Sequence, residues 1–251
     1  MSLAVRVIPT MLCRGEQLVK GREFNGWRVV GHAMQAARIH AARGVDELIL
    51  LDIAATPEGR GPDIKLIEKL SEFCHTPLTV GGGVRSAKDV YQVLRAGADK
   101  VAIGAAAAGN GGLRLVRECA DAIGSQAIVV AVDVKDGTVW SHAGTRDTKN
   151  GALSTSMLLE QAGAGEILLT SIDREGTMMG YDISIIKRIS RELTIPVIAH
   201  GGCSGYLDMH QAINAGASAV AAGALFQFTD ATPRGAVEYL EAHGVTIRIP
   251  A

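Results

Sequence analysis

The chain contains a copy of itself. Residues 45–105 align without a gap on residues 164–224, an offset of 119 positions, and roughly a third of the 61 aligned positions are identical. Glu47 meets Glu166, Gly61 meets Gly180, Asp63 meets Asp182 and Pro77 meets Pro196. The pair Gly82–Gly83 meets Gly201–Gly202, Asp89 meets Asp208, and Ala96–Gly97–Ala98 meets Ala215–Gly216–Ala217. A shared βα period would give two or three such matches, whereas this many indicates a duplicated half-structure. The fold must therefore divide into two equivalent halves, and a site in one half has a counterpart position in the other.

Short apolar runs alternate with amphipathic stretches along the whole length. Eight runs read as strands: 5–11, 47–53, 77–83, 100–106, 127–133, 166–172, 196–202 and 218–224. Between them, segments such as 31–43, 63–74, 86–97, 153–163, 183–193, 206–215 and 233–243 carry apolar residues at three- and four-residue spacing, the helical period. Alternating β and α implies a parallel sheet with helices outside, and eight units close into a barrel. The expected fold is an α/β (β/α)8 TIM barrel built from two duplicated half-barrels, with residues 1–251 as one domain. Four Phe, four Tyr and two Trp in 251 residues leave the core to Ala, Val, Ile and Leu, the residues of buried parallel strands.

Charge and composition exclude several classes. Lys plus Arg number 25 against 26 Asp plus Glu, so nothing global attracts nucleic acid or an anionic membrane. No apolar run reaches the length of a membrane span, and we expect no secretory leader and a cytoplasmic location. Cys13, Cys74, Cys119 and Cys203 are too scattered for a zinc knuckle or redox pair. The seven histidines show no metal-ligand spacing, so neither a metal nor a cofactor is expected.

In such barrels the active site lies at the C-terminal ends of the strands. Those positions hold Leu12, Asp52, Gly82, Gly104, Asp133, Ser171, Gly201 with Gly202, and Gly223. Glycines before helix starts let phosphate oxygens approach backbone amides. Gly82–Gly83 with Gly104 form one candidate phosphate cradle, and Gly201–Gly202 with Gly223–Ala224 form the other. Two cradles suit a ligand phosphorylated at both ends, with the second expected to bind more tightly because Gly104 offers no side-chain donor. Asp133 ends the fifth apolar run, where a carboxylate costs energy unless it has a partner or a task. Asp52 ends the second run, Thr170 and Ser171 end the sixth and are placed to hold a ligand, and Asp173 lies in the following loop. His200 ends the seventh run beside a cradle, where ligand contact and plain packing are both open. The first and fifth runs align as VIPTML on IVVAVD with an offset of 121 rather than 119, so Asp133 pairs with Leu12, which cannot transfer a proton. At the opposite ends of the strands, Arg6, Glu47, Lys100 and Glu166 can close the barrel bottom as a salt-bridge ring.

The segments DELILLDIAAT (46–56), PLTVGGGVRS (77–86), LRAGADKV (94–101), SQAIVVAVD (125–133), GAGEILLTSIDREGT (163–177), GYD (180–182) and PVIAHGG (196–202) together resemble the cyclase subunit family of imidazole glycerol phosphate synthase, in histidine biosynthesis. The resemblance spans nearly the whole chain. It implies an enzyme with a bisphosphate site at the barrel top and a glutaminase partner docked on the bottom. Ammonia passes through the barrel, and ring closure yields imidazole glycerol phosphate and an aminoimidazole carboxamide ribotide. It assigns the family's ammonia gate to Arg6, Glu47, Lys100 and Glu166, its tunnel threonine to Thr79, its docking acid to Asp99, its loop lysine to Lys20 and its strand-5 catalytic aspartate to Asp133.

Two positions depart from that pattern. The family's strand-1 catalytic aspartate falls at Leu12, and its phosphate-binding asparagine falls at Gly104. These departures resemble paralogues found beside surface-polysaccharide genes, so the first expectation is a relative with impaired cyclase chemistry that passes ammonia to a phosphorylated or sugar acceptor. The alternatives are a genuine histidine-pathway cyclase in which Glu16 or Asp52 stands in for the missing acid, and a non-catalytic scaffold that activates a glutaminase.

Overall fold

In the computed structural model, which describes residues 4–247, the eight expected staves close on themselves. In chain order the elements are β1 (Arg6–Arg14), β2 (Gln17–Arg22), β3 (Asn25–His32), α1 (Ala33–Ala42), β4 (Leu48–Asp52), α2 (Ile64–Ser71), β5 (Leu78–Gly81), α3 (Ala87–Arg95), β6 (Lys100–Ile103) and α4 (Gly112–Ile123). After a 3-10 turn at Ser125–Ala127 come β7 (Ile128–Lys135), β8 (Thr138–Ser141), β9 (Arg146–Gly151), α5 (Ala152–Gln161), β10 (Glu166–Ser171) and α6 (Ile183–Ser190). The chain continues with β11 (Val197–His200), α7 (Tyr206–Asn214), β12 (Ala219–Ala222), α8 (Ala224–Phe228) and α9 (Pro233–Ala242). The parallel ladder runs β1–β4–β5–β6–β7–β10–β11–β12 and returns to β1. This is the (β/α)8 barrel.

Strand periodicity sorts the side chains into two cores. Successive residues of a strand face opposite sides. Ile8, Ile49, Ala102, Val129, Leu168, Ile198, Ala219 and Ala221 fill the lumen. Their neighbours Val7, Leu48, Leu50, Val101, Val130, Ile167 and Val197 pack outward under the helices. Extending the inward parity places Arg6, Glu47, Lys100 and Glu166 below this apolar layer and Leu12, Asp133, Thr170 and His200 above it.

The duplication extends to individual contacts. Asp63 and Asp182 cap α2 and α6, each accepting from a backbone amide three residues on, Leu66 and Ile185, at 3.1 Å. Gly97 and Gly216 both have φ +109°, and a Cβ on either would strike the serine of the preceding unit, Ser71 or Ser190. The staves that open each half, β1 and β7, both run on into an antiparallel hairpin, β2–β3 and β8–β9. The sequence reading identified neither hairpin, nor helices α4 and α8. Among the described residues no helix is long and apolar enough to cross a membrane.

Candidate active site

The C-terminal mouth of the barrel holds a cavity. Leu12, Leu51, Asp52, Gly81–Gly83, Gly104, Asp133, Thr170 and His200 contribute from the staves and their ends. Phe24 and Trp27 reach it from the β2–β3 hairpin, and His142 and Ala143 from the segment joining β8 to β9. Phe24, His142 and Ala143 have positive φ, at 54–60°, a conformation uncommon for residues with a side chain. Sequence reasoning missed these hairpin residues of the cavity. For the first hairpin the signal was faint: its turn is Glu23–Phe24, both at positive φ, and the Asn25–Gly26 step that would mark a hairpin lies just past it in β3.

Asp133 is partly buried at this mouth. Burial pushes its carboxyl up to about 7, the Thr170 hydroxyl bonded to it pulls down, and the charge of Glu175 adds a further rise. Thr170 is its ladder neighbour on β10, and His200 is the ladder neighbour of Thr170 on β11. Thr170 Oγ1 lies 3.2 Å from His200 Nδ1. His200 is buried, its Nε2 lacks a hydrogen-bond partner, and Glu175 Oε2 is 3.8 Å from that nitrogen. Burial lowers the His200 pKa, with Glu175 opposing and Lys20 reinforcing the shift. Ser171 follows Thr170 with the opposite parity, and Asp173 is exposed in the next loop.

The glycine pairs are demanded by neighbouring backbone. Gly82 and Gly83 have φ +119° and +70°, and their absent side chains make room for the carbonyls of Asp52 and Arg60. Gly201 and Gly202 repeat this at +94° and +97° against Ser171 and Gly180. The first pair lines the mouth cavity with Gly104, where a side chain would meet only Ala131. The second pair lines a smaller recess with Glu175, Gly223 and Ala224. A Cβ on Gly223 would run into Lys20 Nζ, a buried ammonium with no hydrogen-bond partner. Burial lowers the Lys20 pKa against the attraction of Glu175.

The two acids weighed as replacements at Leu12 are both committed elsewhere. Asp52 lines the cavity but is clamped by Arg60 through two bonds of 2.6 and 3.0 Å. Glu16 is exposed and pairs with Lys69 at 2.7 Å and His32 at 3.4 Å. Leu12 itself is 3% exposed.

At the strand-start end the four charges form one connected layer. Arg6 bonds Glu47 at 2.6 Å and Glu166 at 3.1 Å, and Lys100 bonds the same two acids at 3.1 and 2.9 Å. Thr79, fully buried, donates to Glu47 at 2.6 Å. Burial alone would raise the Glu47 pKa, but Lys100, Arg6 and Thr79 together hold it below the ordinary value. Burial opposes the Arg6 charge too, yet Glu166 and Glu47 leave its pKa raised. Asp99, on the same face, accepts from the Leu78 amide at 2.8 Å. Among the described residues no group of three His, Cys, Asp or Glu side chains is placed to hold a metal ion.

A family model described as "Histidine biosynthesis protein" matches residues 6–232. The "Imidazole glycerol phosphate synthase subunit HisF" of Hyphomonas neptunium is 43% identical over 251 residues, covering 98% of this chain and 99% of its own. The HisF of Pyrobaculum aerophilum is 42% identical over 255 residues, covering 99% and 100%. The chain belongs to the HisF family. This corrects the first expectation: near-complete alignment with subunits that carry the imidazole glycerol phosphate synthase name does not support a surface-polysaccharide paralogue, and a genuine cyclase fits HisF membership better. HisF relatives are cyclase enzymes of histidine biosynthesis.

Proposed function

We propose that this chain is the cyclase subunit of an imidazole glycerol phosphate synthase. It receives ammonia from a glutaminase on the strand-start face and closes an imidazole ring on a bisphosphate held at the mouth. The observation that carries the reading is Lys20 Nζ, buried and unpartnered against Gly223. A lone buried ammonium is costly unless an anion completes it, and a phosphate group beside Gly202 and Gly223 supplies the missing partner. Gly83 and Gly104 hold the ligand's second phosphate more weakly, since Gly104 adds no donor.

Turnover of the histidine-pathway bisphosphate with ammonium as nitrogen source tests the reading, because it bypasses the glutaminase. Lys20→Met tests the phosphate site separately. We expect inorganic phosphate to bind about 10- to 100-fold more weakly, the range for a lost charge-assisted hydrogen bond. The unliganded variant should also melt higher than wild type, because the uncompensated charge is gone. Unchanged phosphate affinity would remove Lys20 from the site.

The partner face is proposed from the Arg6–Glu47–Lys100–Glu166 layer, with Thr79 beside it and Asp99 at the rim. A glutaminase encoded alongside this chain is expected to copurify with it and to hydrolyse glutamine faster in the complex. Asp99→Lys should weaken both effects and leave ammonium-driven turnover intact. A complex indifferent to Asp99 would move the docking surface elsewhere.

A further inference from the structure

The two cradles share a backbone and differ in charge. Through the 119-residue offset, Thr56, Gly82, Gly83 and Gly104 map on Glu175, Gly201, Gly202 and Gly223. The first set lines the mouth cavity and the second the recess. The hairpins correspond as well. Cys13 pairs with Leu18 in one and Val134 with Val139 in the other, an offset of 121 on both strands. Lys20 therefore maps on Ser141. Where the second half sets an ammonium and a carboxylate, the first has two hydroxyls.

Lys20 draws an anion into the recess, and Glu175 decides which anion. Glu175 is 5% exposed, and its contact with His200 Nε2, at 3.8 Å, is too long for a hydrogen bond. Lys20 attracts it from beyond bonding distance, since Lys20 Nζ has no hydrogen-bond partner. A buried acceptor with unused lone pairs thus lines the wall of an anion site. A fully ionised guest would set like charges together where water screens them poorly. A guest that keeps one proton has a hydroxyl to give. In the first cradle the acid packed against Gly82 is Asp52, and Arg60 already neutralises it through bonds of 2.6 and 3.0 Å.

We propose that Glu175 makes the second cradle a site for singly protonated phosphate, its carboxylate accepting a hydrogen bond from the P–OH group. The proposal rests on the phosphate reading above. The other phosphate oxygens are left for Lys20 and for the backbone at Gly202 and Gly223. A fully ionised phosphate enters only by bringing one proton from water, and that proton is shared between phosphate and carboxylate oxygens. Sulfate has the same shape and holds no proton near neutral pH. It meets Glu175 as charge against charge in a buried wall. A site built to bond a ligand hydroxyl rejects the analogue that lacks it, because its own polar group is left unpaired. The second cradle thus tells phosphate from sulfate. The Thr56 cradle, whose hydroxyl can donate or accept, does not.

The test is calorimetric binding of inorganic phosphate and of sulfate, at constant ionic strength and about pH 6, where protonated phosphate is plentiful. Lys20→Met, measured alongside, identifies the signal of the second cradle. At that site wild type is expected to hold phosphate at least about tenfold more tightly than sulfate, the lower end for a hydrogen bond to a charged group. Glu175→Gln keeps the shape and removes the charge. It should raise sulfate affinity about tenfold and bring the two anions within about threefold of each other. Glu175→Thr copies the first half and should do the same, which covers the case in which the glutamine variant does not fold. Equal binding of the two anions by wild type would overturn the role of Glu175 and leave the phosphate site standing. Sulfate affinity unmoved in the variant that folds would do likewise. If wild type binds neither anion more tightly than Lys20→Met, the second cradle fails and the role of Glu175 with it.

Discussion

Asp133→Asn is expected to reduce ammonium-driven turnover by about 10²–10⁴-fold, the span for removing a general acid or base. The substitution keeps the shape and the Thr170 contact, so the loss should fall on kcat. Stability should move the other way. Burial holds the Asp133 carboxyl at about 7, against 3.8 for an ordinary aspartate. The native state therefore keeps a proton that the unfolded chain has released, and native stability falls as pH rises across that window. Asparagine does not ionise and escapes the penalty. The variant should match wild type near pH 4 and exceed it by about 1–2 kcal/mol at pH 8, a figure reduced from the full shift because the carboxyl is only partly buried. Urea unfolding at the two pH values checks it. A variant that is inactive but no more stable at pH 8 would show that the raised carboxyl is not Asp133.

The largest loss of stability is expected at the other end of the barrel. Glu47→Ala leaves Arg6 and Lys100 sharing Glu166 alone and deprives the buried Thr79 hydroxyl of its acceptor. Removing one partner of a buried ion pair typically costs about 3–5 kcal/mol. The Glu47 pKa is held below its ordinary value, so its contribution is fully present above the unfolded pKa. It fades as pH falls through the native one, and the gap between wild type and variant should narrow in acid. A loss below about 1 kcal/mol at pH 7 would mean that the layer behaves as a wetted surface network.

The architecture was readable because its signals are local and repeated. Eight apolar runs, the 119-residue offset and the paired glycines each lie in a short window, and the barrel ties them together. The Arg6–Glu47–Lys100–Glu166 layer was also readable, since four charges at the starts of apolar staves have little else to face. The row Asp133–Thr170–His200 was not, because it depends on the register between three strands, which no single window contains. Asp52 and Glu16 looked available for the same reason: the Arg60 clamp and the Lys69 pair are tertiary contacts. Thr170 and Ser171 are equivalent candidates in the sequence, and only strand parity separates them. The hairpins are hard to read from sequence because their alternation is short and half exposed.

The ring of staves has two seams, β6 against β7 and β12 against β1, where one half meets the other. Severing the backbone near Gly124 would release two four-stranded sheets, one ending in β1 and β6, the other in β7 and β12. Each would expose a pair of unsatisfied edges shaped to accept the other fragment or a second copy of itself. Closure therefore leaves none of these eight staves with a free edge. Two separately produced fragments should reassemble when mixed and gather into larger species when kept apart.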